Sequence, residues 1–239
     1  MPRMPIIGDG ARAGPVLPRS SQFPANRLLA ALPPDEFARI APHLSNVTLE
    51  LGHSLFTPDE SIRHICFPDD GVCAMMAVMR SGTTIEVGTV GNEGMTGLAR
   101  YFGETTEPKE AIVQVPGHGR ILAAEVFEDE MGRRGVFHRL IGYYAYSRTV
   151  QLAQSVACNR LHTLEQRACR WLLMTHDRMQ GDTFKLTHEA FALILGARRS
   201  SVTSIATGLQ RAGAIAYRHG TVAISNARIL SQLPASVTR

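Results

Sequence analysis

The chain has 239 residues, of which 44% are apolar and 19% charged, and this composition is typical of a globular protein with room for two domains. No apolar run approaches the length of about 20 residues that a transmembrane helix needs, so we expect no contact with a membrane. The formal net charge is +4. Residues 180–239 contain seven Lys or Arg residues and two acidic residues, whereas the net charge of the preceding residues is close to zero. This asymmetry indicates that the C-terminal part binds a polyanion.

The first 24 residues are rich in Pro, Gly and Arg. They lack the continuous apolar stretch of a signal peptide and the spacing of an amphipathic helix, so we predict a disordered leader over residues 1–24. With neither a secretion signal nor a membrane span expected, the predicted location is the cytoplasm.

Residues 25–135 read as a domain rich in strands. A short helix is predicted over Pro34–Ile40, and the pattern then changes to short runs of period two separated by Gly, Pro and Asp. Many short strands with such turns are typical of a sandwich or a rolled barrel. The predicted strands are 47–51, 64–67, 72–79, 85–90 and 111–115.

A glycine-rich stretch, residues 91–104, interrupts the strands and has the spacing of a loop that leads into a short helical turn. Backbone amides in such a loop are able to bind a phosphate. The same glycines also suit a tight corner that needs them for geometry alone. Both interpretations remain open from the sequence.

A proline-free helix is predicted over 136–157, with Phe137, Ile141, Ala145, Leu152 and Val156 at helical steps. Because apolar and aromatic side chains occupy more than one of its faces, we expect a partner helix and therefore a dimer. The alternative is that these faces pack within one chain. A second helix, predicted over 161–178, is expected to support the module that follows.

Residues 186–205 have the pattern of a helix-turn-helix. Thr187 is a suitable N-cap for the first helix, and Gly196 permits the positive backbone angle of a tight turn. We expect the two helices to bury Phe191, Ile194, Leu195, Val202, Ile205 and Leu209. Two short strands, 215–218 and 221–224, then flank His219 and Gly220, which makes the module a winged helix-turn-helix. A surface hairpin without function is the alternative, and the local positive charge argues against it.

The order of barrel, glycine-rich corner, long helix and winged module resembles the Crp/Fnr superfamily of bacterial transcription regulators. The C-terminal motif that carries the resemblance is L-T-x-E-x-x-A-x-x-L-G-x-x-R-x-S-V, and the likeness extends over about residues 27–230. It implies an α+β fold with a β-roll or jelly-roll sensor domain (25–135), a dimerisation helix (136–157) and a winged helix-turn-helix domain (158–239). It also implies an effector-sensing homodimer, not an enzyme, that binds a two-fold symmetric site on double-stranded DNA and acts with RNA polymerase.

The resemblance assigns roles within the winged module. Thr187 matches the residue that contacts phosphate, and Arg199 matches the arginine that reads guanine. Ser200 stands where the family often has an acidic residue, and Ser204 replaces a further arginine, so the operator sequence is expected to differ from the usual one. The predicted DNA-binding set is Thr187, His188, Arg198, Arg199, Ser200, Ser201, Ser204 and Arg218.

The effector is not identified by the sequence. Family members that bind cyclic AMP carry F-G-E and then an R-S-A in which the arginine neutralises the phosphate, whereas this chain follows Phe102-Gly103-Glu104 with Pro108-Lys109-Glu110-Ala111. We therefore expect that cyclic AMP is not the effector. The predicted effector contacts are Gly91, Gly94, Met95, Thr96, Gly97, Glu104 and Lys109. A constitutive DNA-binding regulator whose barrel takes no ligand is the alternative.

No metal or cofactor is predicted. The four cysteines, Cys66, Cys73, Cys158 and Cys169, lack the C-x-x-C spacing of zinc or iron–sulfur sites and are expected to be buried thiols, with a redox role for Cys158 left open. A cupin-like metalloenzyme is a further alternative, because His53, His64 and His118 lie in or between predicted strands. No H-x-H pair supports it.

Overall fold

A computed structural model describes residues 24–232, which form an N-terminal barrel, a long helix and a C-terminal domain. The predicted disordered leader lies outside the described residues, except for Pro24, which is buried. The expected α+β architecture is confirmed. Within the described part of the chain, no helix combines the length and the hydropathy needed to cross a bilayer.

Two antiparallel sheets form the barrel. The strands are β1 (Ser45–Leu49), β2 (Ser54–Phe56), β3 (His64–Pro68), β4 (Val72–Val78), β5 (Thr84–Val90), β6 (Lys109–Val115) and β7 (Gly117–Ala123). One sheet has the strand order β1-β7-β3, and the other has the order β2-β6-β4-β5. Their inward side chains enclose a core that includes Phe67, and the five predicted strands are present with small shifts at their ends.

Strands β2 and β7 were not predicted. β2 has three residues, too few for a period to show. β7 begins at Gly117, which the sequence indicated as part of a turn with Pro116, and it also contains Gly119. A Cβ at Gly119 would lie 2.8 Å from the Phe67 carbonyl oxygen, so glycine here permits close approach of two strands.

Short helices close the barrel at its ends. They are α1 (Arg27–Ala30), α2 (Pro34–Ile40, as predicted) and α3 (Ala124–Gly132), with 3-10 turns at Ala41–His43 and Leu98–Phe102. Asn26 caps α1 and donates its side-chain amide to the carbonyl oxygens of Pro68 and Gly94, both at 2.8 Å. The N-terminal segment is thereby fixed to the glycine-rich corner.

The long helix α4 spans Val136–Leu161, four residues beyond the predicted end, so the predicted domain division between residues 157 and 158 falls inside it. The Glu36 carboxylate accepts hydrogen bonds from the backbone amides of Val136 and Phe137, each at 2.8 Å, and so caps the helix from α2. The cap fixes where the helix begins relative to the barrel.

The apolar residues of α4 divide into two groups. Phe137 and Ile141, which were predicted to face a partner helix, are buried in the barrel core of the same chain. The first half of the predicted stripe therefore packs within the chain, whereas Leu152 and Val156 in its second half are exposed. A second row, exposed over 50–78% of each side chain, consists of Tyr143, Tyr146, Val150 and Leu161. Tyr146, Val150 and Leu161 follow Tyr143 by three, seven and 18 residues, and these spacings place the row on one face of the helix, away from Ile141.

The C-terminal domain begins at α5 (Leu164–His176), which is shorter than predicted because Thr163 and Gln166 form a capping box at its start. The remaining elements are β8 (Thr183–Lys185), α6 (His188–Leu195), α7 (Arg199–Arg211), β9 (Ile215–Arg218), β10 (Thr221–Ile224) and α8 (Ala227–Gln232). The three strands pair antiparallel in the order β8-β10-β9. The winged helix-turn-helix pattern is confirmed, and β8 was not predicted.

The two halves of the chain share an apolar core. Val72 and Val115, on the outside of the barrel, belong to the same buried cluster as Trp171, Leu172 and Phe184 of the C-terminal domain. The C-terminal domain is thus packed against the β4–β6 face of the barrel.

Candidate nucleic-acid interface

The first helix of the motif, α6, starts at a capped end. The Thr187 hydroxyl accepts a hydrogen bond from the Ala190 amide at 3.1 Å, and Phe191 and Leu195 are buried beneath it, as the sequence predicted. Thr187 itself is exposed, so its outer surface is accessible to a phosphate.

The second helix, α7, follows a turn at Gly196, whose φ of 60° lies in the left-handed region that favours glycine. Val202 and Leu209 bury its inner face, and Ile205 is half-buried. Arg198, Arg199, Ser200 and Ser204 are exposed on its outer side, while Ser201 is half-buried. Since the first turn of α7 carries no acidic residue of its own, the positive end of the helix dipole favours an anion there.

Arg199 is engaged by a residue that was not among the predicted site residues. Its Nε lies 2.7 Å from the Glu189 Oε1, and both side chains are exposed. A glutamate in the first turn of α6 is a common helix-start residue, so the sequence offered no reason to connect it with Arg199. The fold supplies that connection by crossing α6 over the start of α7.

His188, a predicted DNA contact, faces the interior of the motif. Its Nδ1 lies 3.0 Å from the oxygen of the Thr203 hydroxyl, and this hydroxyl also contacts the Arg199 carbonyl oxygen at 3.0 Å. The Nε2 atom is buried and has no hydrogen-bond partner among the described residues, and the ring packs on Tyr217 with centroids 4.5 Å apart. In this conformation His188 supports α7 rather than reaching outward.

The wing is a two-residue hairpin. His219 and Gly220, with φ of 49° and 72°, join β9 to β10 and leave Arg218 exposed beside the turn. The Tyr217 hydroxyl donates to the Leu186 carbonyl oxygen, which connects the wing to the start of α6. The structure thus gathers Thr187, Arg198, Arg199, Ser200, Ser204 and Arg218 as exposed residues of one small domain.

The glycine-rich corner, the predicted effector site, is filled by side chains of the same chain. A Cβ at Gly94 would lie 2.4 Å from the Tyr144 ring, and one at Gly91 would lie 2.6 Å from Arg178. The Tyr144 hydroxyl donates to the Met95 carbonyl oxygen at 2.9 Å. Burial raises the pKa of Tyr144 to about 12, so the hydroxyl keeps its proton and remains a donor.

Three backbone amides of this corner donate hydrogen bonds within the chain. Gly91 donates to the Glu93 side chain, Gly94 donates to the Gly91 carbonyl, and Thr96 donates to the Cys66 carbonyl. Gly97 approaches the side chains of Ile62 and Ile65. This packing favours the interpretation in which the glycines permit a tight corner over the one in which their amides bind a phosphate.

The charged members of the predicted effector set lie apart from a free anion site. Glu104 is exposed, and the Lys109 Nζ lies 2.5 Å from the buried Glu107 carboxylate. A lysine already neutralised in this way offers little attraction to a phosphate. A cleft of 390 Å³ opens elsewhere, between Val115 and Pro116 of the barrel and Phe184 and Lys185 of the C-terminal domain.

The three histidines of the metalloenzyme alternative do not converge. His64 and His118 lie at opposite ends of the β3-β7-β1 sheet, since His64 pairs with Ala123 and His118 pairs with Thr48. Five residues of one strand span about 16 Å, too far for a shared metal ion. Among the described residues, no group of three His, Cys, Asp or Glu side chains is arranged to hold a metal.

The four cysteines are buried, as expected. Burial raises the pKa of the Cys66 thiol well above its usual range, that of Cys73 to about 12 and that of Cys169 to about 11. These three groups are therefore protonated thiols at neutral pH, which argues against reactive thiolates.

Comparison with other proteins identifies the C-terminal domain. A model of the Crp-like helix-turn-helix domain matches residues 166–233. No curated protein sequence matches the chain.

Solved structures resemble the chain over most of its length at low identity. A protein from Eubacterium rectale ATCC 33656, described as a transcriptional regulator of the Crp/Fnr family, has a TM-score of 0.68 and 16% identity, with 89% of this chain and 99% of that chain covered. FixK2 from Bradyrhizobium japonicum has a TM-score of 0.67 and 14% identity, with 82% and 99% covered. TTHB099, a transcriptional regulator of the CRP family from Thermus thermophilus, has a TM-score of 0.65 and 17% identity, with 80% and 97% covered. The protein thus shares the fold of these solved structures, and its residues 166–233 match the family model of the Crp-like helix-turn-helix domain.

Proposed function

We propose that the protein is a DNA-binding transcription regulator of the Crp/Fnr type, with α7 as the helix that enters the major groove. The observation that carries this proposal is the exposed start of α7, where Arg198, Arg199, Ser200 and Ser204 project from a Crp-like helix-turn-helix. Guanidinium and hydroxyl groups are suited to base edges and phosphates. Thr187 and Arg218 flank this surface and supply phosphate contacts.

The regulator acts as a homodimer that reads a two-fold symmetric promoter site. The support for this is the exposed row Tyr143, Tyr146, Val150 and Leu161 on α4, which has the spacing of a helix–helix seam. Residues 25–135 serve as the sensor-type domain, α4 as the dimerisation helix and the following residues as the DNA-binding domain. Such a regulator works on the chromosome in the cytoplasm, with RNA polymerase as its further partner, and it has no enzymatic role.

For the barrel, two contacts favour a second candidate function: a regulator whose barrel does not sense an effector at the glycine-rich corner. Tyr144 occupies the space above Gly94, and Lys109 is paired with Glu107. Both features support a regulator whose barrel takes no cyclic nucleotide at this corner. An effector, if one exists, binds elsewhere, and the cleft between the two domains is one such place.

Selection of binding sites from random duplex DNA tests the proposed function. We expect the wild-type chain to select a two-fold symmetric site containing guanine, and Arg199→Ala to weaken binding to that site by about 1–3 kcal/mol and to relax the preference at the guanine. Arg63→Ala is the matched control, because it removes one exposed positive charge from the barrel. If the wild-type chain selects no sequence, or if Arg199→Ala keeps the full preference, the assignment of α7 is wrong.

A further inference from the structure

Glu189 is an acidic residue at the surface that is proposed to meet DNA. It lies in the first turn of α6, and its Oε1 is 2.7 Å from the Arg199 Nε. A carboxylate close to phosphates lowers the affinity for any duplex, whatever its sequence. Because this charge is unfavourable for DNA binding, we expect Glu189 to have a compensating function at Arg199.

A second contact, from the residue before Glu189, joins α6 to the next turn of α7. His188 Nδ1 is hydrogen-bonded to the hydroxyl of Thr203, which lies four residues after Arg199 and also contacts the Arg199 carbonyl oxygen at 3.0 Å. Tyr217 packs behind the His188 ring. The start of α6 is thus fixed relative to the turn of α7 that carries Arg199, and Glu189 projects from a rigid position.

The choice of nitrogen atom matters for reading a base. Arginine presents five N–H groups in a planar fork, and the Glu189 carboxylate forms an ion pair on the Nε side of this fork. Among the described residues, no hydrogen bond or ion pair is formed by the two terminal nitrogens, Nη1 and Nη2, which remain available to a base. These two nitrogens form the end-on bidentate pair with O6 and N7 of guanine.

We propose that Glu189 is a specificity-determining residue that positions the Arg199 guanidinium for end-on recognition of guanine, at the cost of general affinity for DNA. This inference rests on the proposed function. The loss of affinity is independent of sequence because it arises from charge repulsion. The gain is confined to the base pair that Arg199 reads, because only there does the orientation of the guanidinium matter.

Two substitutions separate charge from positioning. Glu189→Gln removes the charge and keeps a side-chain oxygen at a similar position beside the Arg199 Nε, whereas Glu189→Ala removes both. We expect both variants to bind a duplex without the site about two- to fivefold more tightly than the wild type. We expect discrimination between guanine and adenine at the Arg199 position to fall about two- to fivefold in Glu189→Ala and to be largely retained in Glu189→Gln.

The measurements are dissociation constants by fluorescence anisotropy at one salt concentration, for the selected site and for single base-pair variants of it. Glu165→Ala is the matched control, since it removes an exposed acidic residue from the first turn of α5 and gives the same net charge. Combination with Arg199→Ala is a second control, because Glu189→Ala should then leave discrimination unchanged. Thermal unfolding verifies that each variant is folded.

Unchanged discrimination in folded Glu189→Ala, with Arg199→Ala still relaxing the preference, overturns the positioning role and leaves the proposed function intact. An equal loss in Glu189→Gln and Glu189→Ala also overturns it, because charge alone then explains the effect. Absence of any base preference in the wild type is a failure of the proposed function, and it is seen before any variant is compared.

Discussion

Trp171 donates its indole N–H to the Glu86 Oε1 over 2.9 Å and so joins α5 of the C-terminal domain to β5 of the barrel. The other oxygen of Glu86 accepts from the Gln114 side-chain amide at 2.6 Å. Nearby, the Arg178 Nε lies 2.7 Å from the Glu93 Oε1. Polar contacts thus surround the apolar surface at which the two domains meet.

The first prediction concerns pH. Burial raises the pKa of Glu86 from 4.5 to about 7, against the opposing effects of its two hydrogen bonds and of the Arg178 charge. The folded chain therefore binds this proton more tightly than the unfolded chain, and the contribution to the free energy of unfolding is complete below pH 4.5 and is lost as the pH rises through about 7. We expect a loss of about 1–3 kcal/mol, measured by urea unfolding at about pH 5 and about pH 8.

Glu86→Gln is the control for this prediction. The amide has a similar shape and no charge to bury, so the variant should lack this part of the pH dependence. Trp171→Phe keeps the ionisable group and removes one hydrogen bond to it, so the pH dependence should remain. Equal dependence in the wild type and in Glu86→Gln would assign the effect to other groups.

The second prediction concerns the dimer. Val150 lies in the exposed row on α4, and Val150→Asp places a carboxylate where the partner helix is expected to pack. Burial of an unpaired charge is unfavourable by several kcal/mol, so we expect a folded monomer at micromolar concentration and a steep fall in operator affinity. Sedimentation velocity and circular dichroism measure the two properties.

Asn159→Asp is the matched control for the dimer, because it introduces the same charge on the opposite face of α4. Ile141→Asp, in contrast, is expected to unfold the barrel, since Ile141 is fully buried in its core. A Val150→Asp protein that remains dimeric would place the seam on another surface.

The third prediction concerns cyclic AMP. Lys109 is paired with Glu107, and no arginine is next to it in the sequence. We therefore expect cyclic AMP to bind this protein more weakly than it binds family members that carry the arginine, by about 1.5–3 kcal/mol for each lost hydrogen bond to a charged group. Titration calorimetry should detect no micromolar binding in the wild type or in Tyr144→Ala, which removes the ring above Gly94. Micromolar binding by the wild type would show that the backbone of the corner, rather than a side-chain cation, holds the phosphate.

The fourth prediction concerns the thiols. Burial holds Cys73 and Cys169 at pKa values of about 12 and about 11, so their thiolate fraction at neutral pH is lower than that of an ordinary cysteine by about a hundredfold or more. We expect a disulfide reagent to titrate them only after unfolding in guanidinium. A thiol that reacts quickly in the native protein would contradict this prediction and support a redox role. Mass spectrometry would identify the cysteine that reacts.

Local signals made the winged module the best-predicted part of the chain. The N-cap at Thr187, the turn at Gly196 and the strands around Gly220 all depend on residues close in sequence, and they are confirmed. The face of α4 that packs inside the chain was not predictable, because the stripe through Ile141 fits a partner helix and a barrel equally well. Glu189 and Glu86 were missed for the same reason: their partners, Arg199 and Trp171, are brought to them only by the fold.

Val72 and Val115 are covered by α5 and the elements that follow it, which are synthesised after the barrel. A ribosome synthesises the barrel first, so the barrel is able to fold while its outer face at these two residues is still bare. During that interval the nascent chain presents apolar surface that the finished protein conceals. Once Trp171 and its neighbours pack on this surface, the chain is less prone to aggregate or to bind a chaperone.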